Sequence, residues 1–409
     1  MSVHLSTILR RTPTGSLRAY FDTISPENFA DIDWTTKRNT LVDNLAQLIN
    51  EIGDKARGRV YQDFDRVGQL MTDHGRGMLR AVLAAGGGDL SKFDAMEAAT
   101  ACAFHVLIHD SDAFEKALSA VFADRLLNGR DWTGLDFEPG GKPAMRPDPD
   151  VHGFTERLRE IFASDGPVPR IHLERFSRQD PDPGGAGALE REQFTFYVED
   201  APESALVFPD GERSDLETRF FRRAREAALL FDATDRTLDV VVKGGGTARR
   251  QQIAAAFVEH MLKPGAKTAA RPRRTLALDM LKVRQSFEVR PGDRVRTVEM
   301  VSLKLGAPDR GSIVTFETPA RSTNPANGDF YERAGRVLGP RGPLSWQGWR
   351  VLAAKIRITF EPEASKKREK RVAVELKVPD RTNLRDQIEL HRRIADQLLS
   401  RWGLYEGSA

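Results

Sequence analysis

Residues 355–377 read KIRITFEPEASKKREKRVAVELK, two short alternating runs separated by a charged stretch. Ile356, Ile358 and Phe360 alternate with Lys355, Arg357 and Thr359, and Val372, Val374 and Leu376 alternate with Arg371, Ala373, Glu375 and Lys377. A period of two sends one set of side chains to a core and the other to water, so the stretch predicts an antiparallel hairpin with one wetted face. Matching the apolar faces across the turn puts Glu375 opposite Arg357 and Glu361 opposite Arg371. Such cross-strand ion pairs contribute a few tenths of a kcal/mol to about 1 kcal/mol each.

The same alternation recurs upstream in RIHLERF (170–176), QFTFYVE (193–199), TLDVVVK (237–243), TVEMVSLKL (297–305) and SIVTFET (312–318). These runs predict half-buried antiparallel strands mixed with a few helices. The first 130 residues have a different period. Leu41, Leu45, Leu48, Ile49 and Ile52 recur at spacings of three and four, as do Val60, Phe64, Val67, Leu70 and Met71, and two more helical runs cover 92–108 and 113–129. The last is expected to start at Ser111 and Asp112, with Glu115 in its first turn. The fold class is therefore α+β: an N-terminal helical bundle (1–138) followed by two mixed antiparallel-sheet and helix modules (151–263 and 275–409). Pro/Gly/Asp-rich loops at 140–150 and 179–187 and a linker KPGAKTAARPRR (263–274) punctuate the chain. The modules read as an internal duplication. AALLFD, a turn, LDVVVK and a helix from Thr247 match KIRITFE, a turn, RVAVELK and a helix from Thr382, with Thr, Arg, Gln and Ile shared between 247–253 and 382–388.

In 409 residues, 40% hydrophobic and 30% charged, there is length for several cores. No run approaches 18 apolar residues, and the first 15 residues lack the apolar segment of a secretory signal, so a cytoplasmic protein without a membrane partner is expected. A single cysteine, Cys102, excludes a disulfide framework and a cysteine-based zinc knuckle. Of 62 basic residues 47 are arginine, a usage consistent with the GC-rich codons of many bacteria. Charge is unevenly spread: 131–240 holds 14 basic and 24 acidic residues, 241–310 holds 15 and 6, and 331–409 holds 17 and 10. A basic C-terminal third points to a polyanionic partner or to docking on the acidic middle of the chain.

Glu375-Leu376-Lys377 at the end of an apolar strand resembles the way the restriction-endonuclease-like core presents a metal-binding carboxylate and a lysine. That resemblance implies a Mg²⁺-dependent nuclease with Glu361 or Asp380 as the other ligand. With Glu361 four residues from the partner of Glu375, the separation is roughly 13 Å, too far to share one ion. Cys102, His105 and His109 fall on one helical stripe that suits a metal. His74, His109-Asp110 and Asp131 or Asp136 superficially resemble the His…His-Asp…Asp set of HD-type phosphohydrolases, but here the dyad runs into a helix start. In KGGGTARR (243–250) three glycines join a strand to a helix, a setting for an anion, with Lys243, Arg249 and Arg250 beside it. Arg249 and Arg250 oppose the helix dipole unless an anion or acidic patch lies nearby.

No nucleophile triad, Walker loop or dinucleotide fingerprint stands out, so a non-enzymatic protein without a cofactor is expected. It would bind nucleic acid without sequence preference through Lys243, Arg249, Arg250, Arg271, Arg273, Arg274, Lys366, Lys367, Arg368, Lys370 and Arg371, with the tryptophans of SWQGW (345–349) as stacking platforms or core. The helical region would serve protein contacts. The alternatives are the nuclease at Glu361, Glu375 and Lys377, or a protein scaffold without nucleic acid.

Overall fold

The structure, a computed structural model, describes residues 5–127, 129–139, 143–163, 166–181, 188–208, 216–272, 274–309, 311–318, 328–339, 342, 344–362, 369–384 and 387–406. It is α+β, with the chain folded as two units that divide between Arg271 and Pro272, inside the predicted linker.

Among the described residues unit 1 opens with nine helices: α1 (Leu5–Arg11), α2 (Thr14–Ile24), α3 (Pro26–Phe29), α4 (Arg38–Glu51), α5 (Asp54–Leu70), α6 (Asp73–Ala85), α7 (Leu90–Ala95), α8 (Ala99–His109) and α9 (Ser111–Leu126). The predicted stripes form their core: Leu41, Leu45, Ile49, Val60, Phe64 and Val67 are buried together with Tyr20, Phe21 and Phe104. The cap of α9 is Asp110 rather than Ser111, its carboxylate accepting from the Ala113 amide at 2.9 Å. Then follow β1 (Trp132–Phe137), α10 (Val151–Ala163), β2 (Ile171–Pro181), β3 (Ala188–Val207), β4 (Glu217–Asp232), β5 (Thr237–Val242), α11 (Gly246–Met261) and β6 (Thr268–Ala270). Residues 132–137, read as the tail of the helical region, are a strand. They lie between β5 and β6 in an antiparallel sheet of order β2-β3-β4-β5-β1-β6.

That sheet is covered on both faces, not one. Phe194, Phe196, Leu229, Phe231, Leu238 and Val240 pack on Phe154, Leu158, Ile253 and Phe257 of α10 and α11. On the opposite face Ala228, Leu230 and Val241 pack with Ala123 and Leu127 at the end of α9, and Phe176 joins the helical core. Double burial explains the unbroken apolar runs ALLF and VVV in β4 and β5. Where α6 and α9 meet β2, β3 and β4 the layer is polar: Arg178, 0% exposed, pairs with Asp124 at 2.9 Å, and the Ser119 hydroxyl meets Thr195 and Glu226.

Unit 2 holds a 3-10 turn (Leu278–Lys282), β7 (Val295–Gly306), β8 (Ile313–Glu317), α12 (Phe330–Leu338), β9 (Arg350–Phe360), β10 (Lys370–Lys377), β11 (Arg381–Thr382) and α13 (Glu389–Arg401). The sheet order is β11-β10-β9-β7-β8, all antiparallel. Val372, Val374, Leu376, Ile356, Ile358 and Phe360 face a core built with Ile394, Leu398, Leu399 and Trp402 of the last helix, as the alternation predicts. The helix expected from Thr382 starts instead at Glu389. Thr382 pairs with Leu376, and the Asn383 side-chain amide donates to the Ala373 carbonyl at 2.9 Å and accepts from the Glu375 backbone amide at 2.8 Å. Both units contain a hairpin followed by a helix. Yet Thr247 sits in the first turn of α11 and Thr382 in a strand, so the expected repeat does not align equivalent positions.

No helix among the described residues is long and apolar enough to cross a membrane.

Candidate nucleic-acid interface

The hairpin register differs from the expected one by two residues. Glu375 lies opposite Lys355, Ala373 opposite Arg357 and Arg371 opposite Thr359. Lys355 reaches Glu375 at 3.2 Å and Glu317 of β8 at 3.6 Å, and the Glu375 carboxylate raises the pKa of that ammonium above its usual value. Arg357 turns to Glu299 of β7 at 3.2 Å. The predicted Arg357–Glu375 pair is thus replaced by two others. Glu361 now lies six residues beyond the partner of Glu375, roughly 20 Å along the strand at about 3.3 Å per residue, and its backbone amide donates to the Arg294 carbonyl. The structure does not bring these carboxylates together, and among the described residues no three His, Cys, Asp or Glu side chains group to hold a metal.

With that register the outer face of the unit 2 sheet resolves into rows across the strands. One row runs Arg371, Thr359, Thr297; the next Ala373, Arg357, Glu299; the next Glu375, Lys355, Ser302, Glu317. The fourth runs Arg381, Lys377, Ala353, Lys304, Thr315, from β11 to β8. It carries three cations and no carboxylate. Lys377 and Arg381 are exposed and directly opposite one another, an arrangement that costs stability unless an anion lies over it. Adjacent strands sit about 4.8 Å apart, so Lys377 and Lys304 stand roughly 10 Å apart across the small side chain of Ala353.

The other expected contact residues are scattered. Lys366, Lys367, Arg368 and Arg273 lie outside the described residues. Lys370 and Arg371 open β10, at the far end of the face from the cation row, and Arg371 is 3.9 Å from Glu369. Arg274 pairs with Asp396 at 2.8 Å and packs over the Tyr405 ring. Arg271 is held by Asp136 at 2.7 Å and Asp239 at 3.1 Å, and those carboxylates lift its pKa against the opposing effect of burial.

The glycine loop is occupied by its own chain. Gly244, Gly245 and Gly246 have φ of 74°, 75° and 66°, a left-handed run that only glycine adopts at low cost. A Cβ on Gly245 would lie 2.7 Å from the Arg249 side chain, which is folded back under the loop and over the Phe162 ring. Arg250 is buried and donates to the Thr133 hydroxyl at 2.8 Å. Lys243 lies over the Phe122 ring, and the Gly244 amide faces Asp131 at 3.3 Å. Lys243 and the three glycines are exposed, but the two arginines expected to flank an anion are turned inward, Arg249 8% and Arg250 3% exposed.

The histidine sets also separate. Cys102 is buried with its sulfur near the Phe93 and Met96 carbonyls, and burial pushes its thiol pKa up; the His105 and His109 rings meet at a tilt, centroids 4.6 Å apart; and His74 is buried 3.5 Å from Asp124. Asp131 and Asp136 serve the glycine loop and Arg271. The tryptophans of SWQGW pack edge to face, Trp349 against the unit 2 core and Trp346 partly exposed.

Sequence reasoning named Lys377 only as a nuclease lysine and missed Lys304 and Arg381. The odd-numbered polar positions of β9 and β10 were legible, but the β7 and β11 partners that complete the row were not. No protein-family model matches this chain, and no curated protein is similar to it in sequence.

Proposed function

We propose that the protein binds nucleic acid in the cytoplasm without reading sequence, laying the phosphate backbone on the outer sheet face of unit 2, and that the outer helices of unit 1 are left for protein contacts. The observation that carries this reading is the row Arg381, Lys377, Lys304, three cations across the sheet with no acid among them. Charge distribution agrees with it. Residues 272–409 hold 27 Lys and Arg against 17 Asp and Glu, +10, and residues 1–271 hold the remaining 35 and 42, −7, which sum to the net +3 of the whole. Contacts to phosphate need no catalytic group and no metal, and they release counterions as they form.

The test is fluorescence anisotropy with a labelled single-stranded oligonucleotide over a range of salt concentrations. On a single strand, each phosphate that a cation neutralises adds about 0.7 to the slope of log K against log salt. The triple variant Lys304→Ala/Lys377→Ala/Arg381→Ala is expected to flatten that slope by about 2. Wild-type binding without salt dependence, or a triple variant with the wild-type slope, overturns the proposal. Plasmid incubated with Mg²⁺ or Mn²⁺ is expected to stay intact with wild type and with Glu375→Ala alike.

A further inference from the structure

β3 and β4 continue well past the sheet that contains them. The pairing of β2 with β3 ends at Ile171 opposite Val198, and the pairing of β5 with β4 ends at Val242 opposite Ala227. Beyond those points β3 and β4 pair with each other, from Glu199 opposite Ala224, through a register shift, to Val207 opposite Glu217. The result is a two-stranded ribbon with both outer edges open among the described residues.

The two faces of this ribbon are unlike. One carries Ser204 opposite Phe220 and Leu206 opposite Thr218, and the next positions of the same period are Phe208 and Leu216. Leu206, Phe208, Leu216 and Phe220 are 69%, 68%, 55% and 80% exposed. The other face carries Arg219 with Glu217, Arg223 with Glu203 at 3.0 Å, and Phe221 beneath the Arg223 guanidinium; at the base Arg222 pairs with Glu199 at 3.0 Å and Arg225 with Asp200 at 3.1 Å. The apolar face itself carries no charged side chain from Ser204 to Phe208 or from Leu216 to Phe220. An isolated ribbon with a solvent-facing apolar side is marginal in water and is covered in the working state of a protein.

We infer that the apolar face of this ribbon packs against the same face of a second copy of the chain, about a two-fold axis. Neutrality favours this occupant. A surface with no net charge meets its own copy without like-charge repulsion, whereas a polyanion or an anionic lipid surface gains no attraction from it. The area agrees as well. Four side chains at these exposures present roughly 450 Å² of apolar surface, so two copies bury roughly 900 Å² from them alone. Strand edges and flanking side chains bring the total past the ~1,000 Å² that a specific interface requires. The contact is independent of the cation row in unit 2.

The experiment is light scattering behind size exclusion on the full chain, from about 1 to 100 µM, with two variants. Wild type is expected to reach twice the chain mass. Leu206→Ser/Phe220→Ser and Thr218→Lys, the latter placing a charge inside the face, are expected to stay at one chain mass with circular dichroism and melting temperature close to wild type, since these side chains are exposed in the single chain. A wild type that is monomeric throughout overturns the inference. So does a dimer that survives both variants, which would use another surface. A monomer that sediments with phosphatidylcholine vesicles, and ceases to do so with Phe220→Ser, overturns it in favour of a lipid surface.

Discussion

Asp124→Leu tests whether the layer between the helices and the sheet of unit 1 is held by a buried ion pair. Arg178 projects from β2 with no exposed surface, and its guanidinium donates to Asp124 of α9 at 2.9 Å, with His74 of α6 3.5 Å from the same carboxylate. Removing the carboxylate takes its Asp124 counter-charge from a guanidinium held in the interior. A buried pair broken in this way costs about 3–5 kcal/mol, far more than the pair's net worth. At about 2–4 °C per kcal/mol for a unit of this size, the unit 1 transition should fall by about 6–20 °C. Replacing both partners, Asp124→Leu/Arg178→Met, removes the interior guanidinium as well and roughly keeps the volume. That double variant is expected within about 2 kcal/mol of wild type, more stable than the single change. Urea unfolding followed by far-ultraviolet circular dichroism reads it, because eleven of the thirteen helices among the described residues belong to unit 1. An Asp124→Leu variant destabilised by less than about 1 kcal/mol, or a double variant destabilised by as much as Asp124→Leu and Arg178→Met measured singly and summed, refutes the reasoning.

Two pH-linked predictions concern carboxyls with shifted titration. Burial raises the Glu226 pKa above the usual carboxylate range, with the Ser119 hydroxyl at 2.7 Å and the Lys243 charge opposing it in part. The folded chain therefore holds this proton more tightly than the unfolded one, and stability falls as pH rises from about 4.3 through the raised folded value. Glu226→Gln should be more stable than wild type at pH 7 and equal to it below about pH 4, as read from urea midpoints; a gap that persists in acid defeats this account. In unit 2, Arg401 grips Asp293 at 2.6 and 3.0 Å and lowers its carboxyl pKa. Its contribution is present above the ordinary aspartate value of about 3.9 and disappears as pH falls through the folded one. Asp293→Asn should cost about 1–2 kcal/mol at pH 7 and little in acid, measured by thermal melts at both pH values.

How much of this was legible in the sequence depends on what each pattern constrains. The helical stripes at Leu41, Leu45 and Ile49 and the alternation at Val372, Val374 and Leu376 gave the fold class, because burial enforces their periods. The same period left the hairpin register open, since a slip of two residues returns every side chain to its original face. Here Glu299 on β7 competed for Arg357 and settled it, a partner 58 residues away in sequence. The helix expected at Thr382 gives way to Asn383, whose side-chain amide stands in for a backbone partner of β10. The ribbon is hidden in the sequence because its Leu and Phe residues alternate as a core face would. The Pro209-Asp210-Gly211 turn signal between its strands is in plain view. Arg249 and Arg250 read as surface cations because a first-turn position says nothing of which side chains close over it. The cation row needed four strands to be ordered before it existed at all.

The left-handed run at Gly244–Gly246 bears on how this chain can drift. Each position forbids a Cβ on torsional grounds, and the middle one forbids it again because Arg249 fills the space, so penalties of about 1 kcal/mol or more accumulate over three neighbouring codons. Loss of Arg249 would relieve only the clash at Gly245, and the positive φ would still favour glycine at all three positions. Only the middle glycine and the arginine are therefore tied to one another by volume, while the outer two answer to torsion alone.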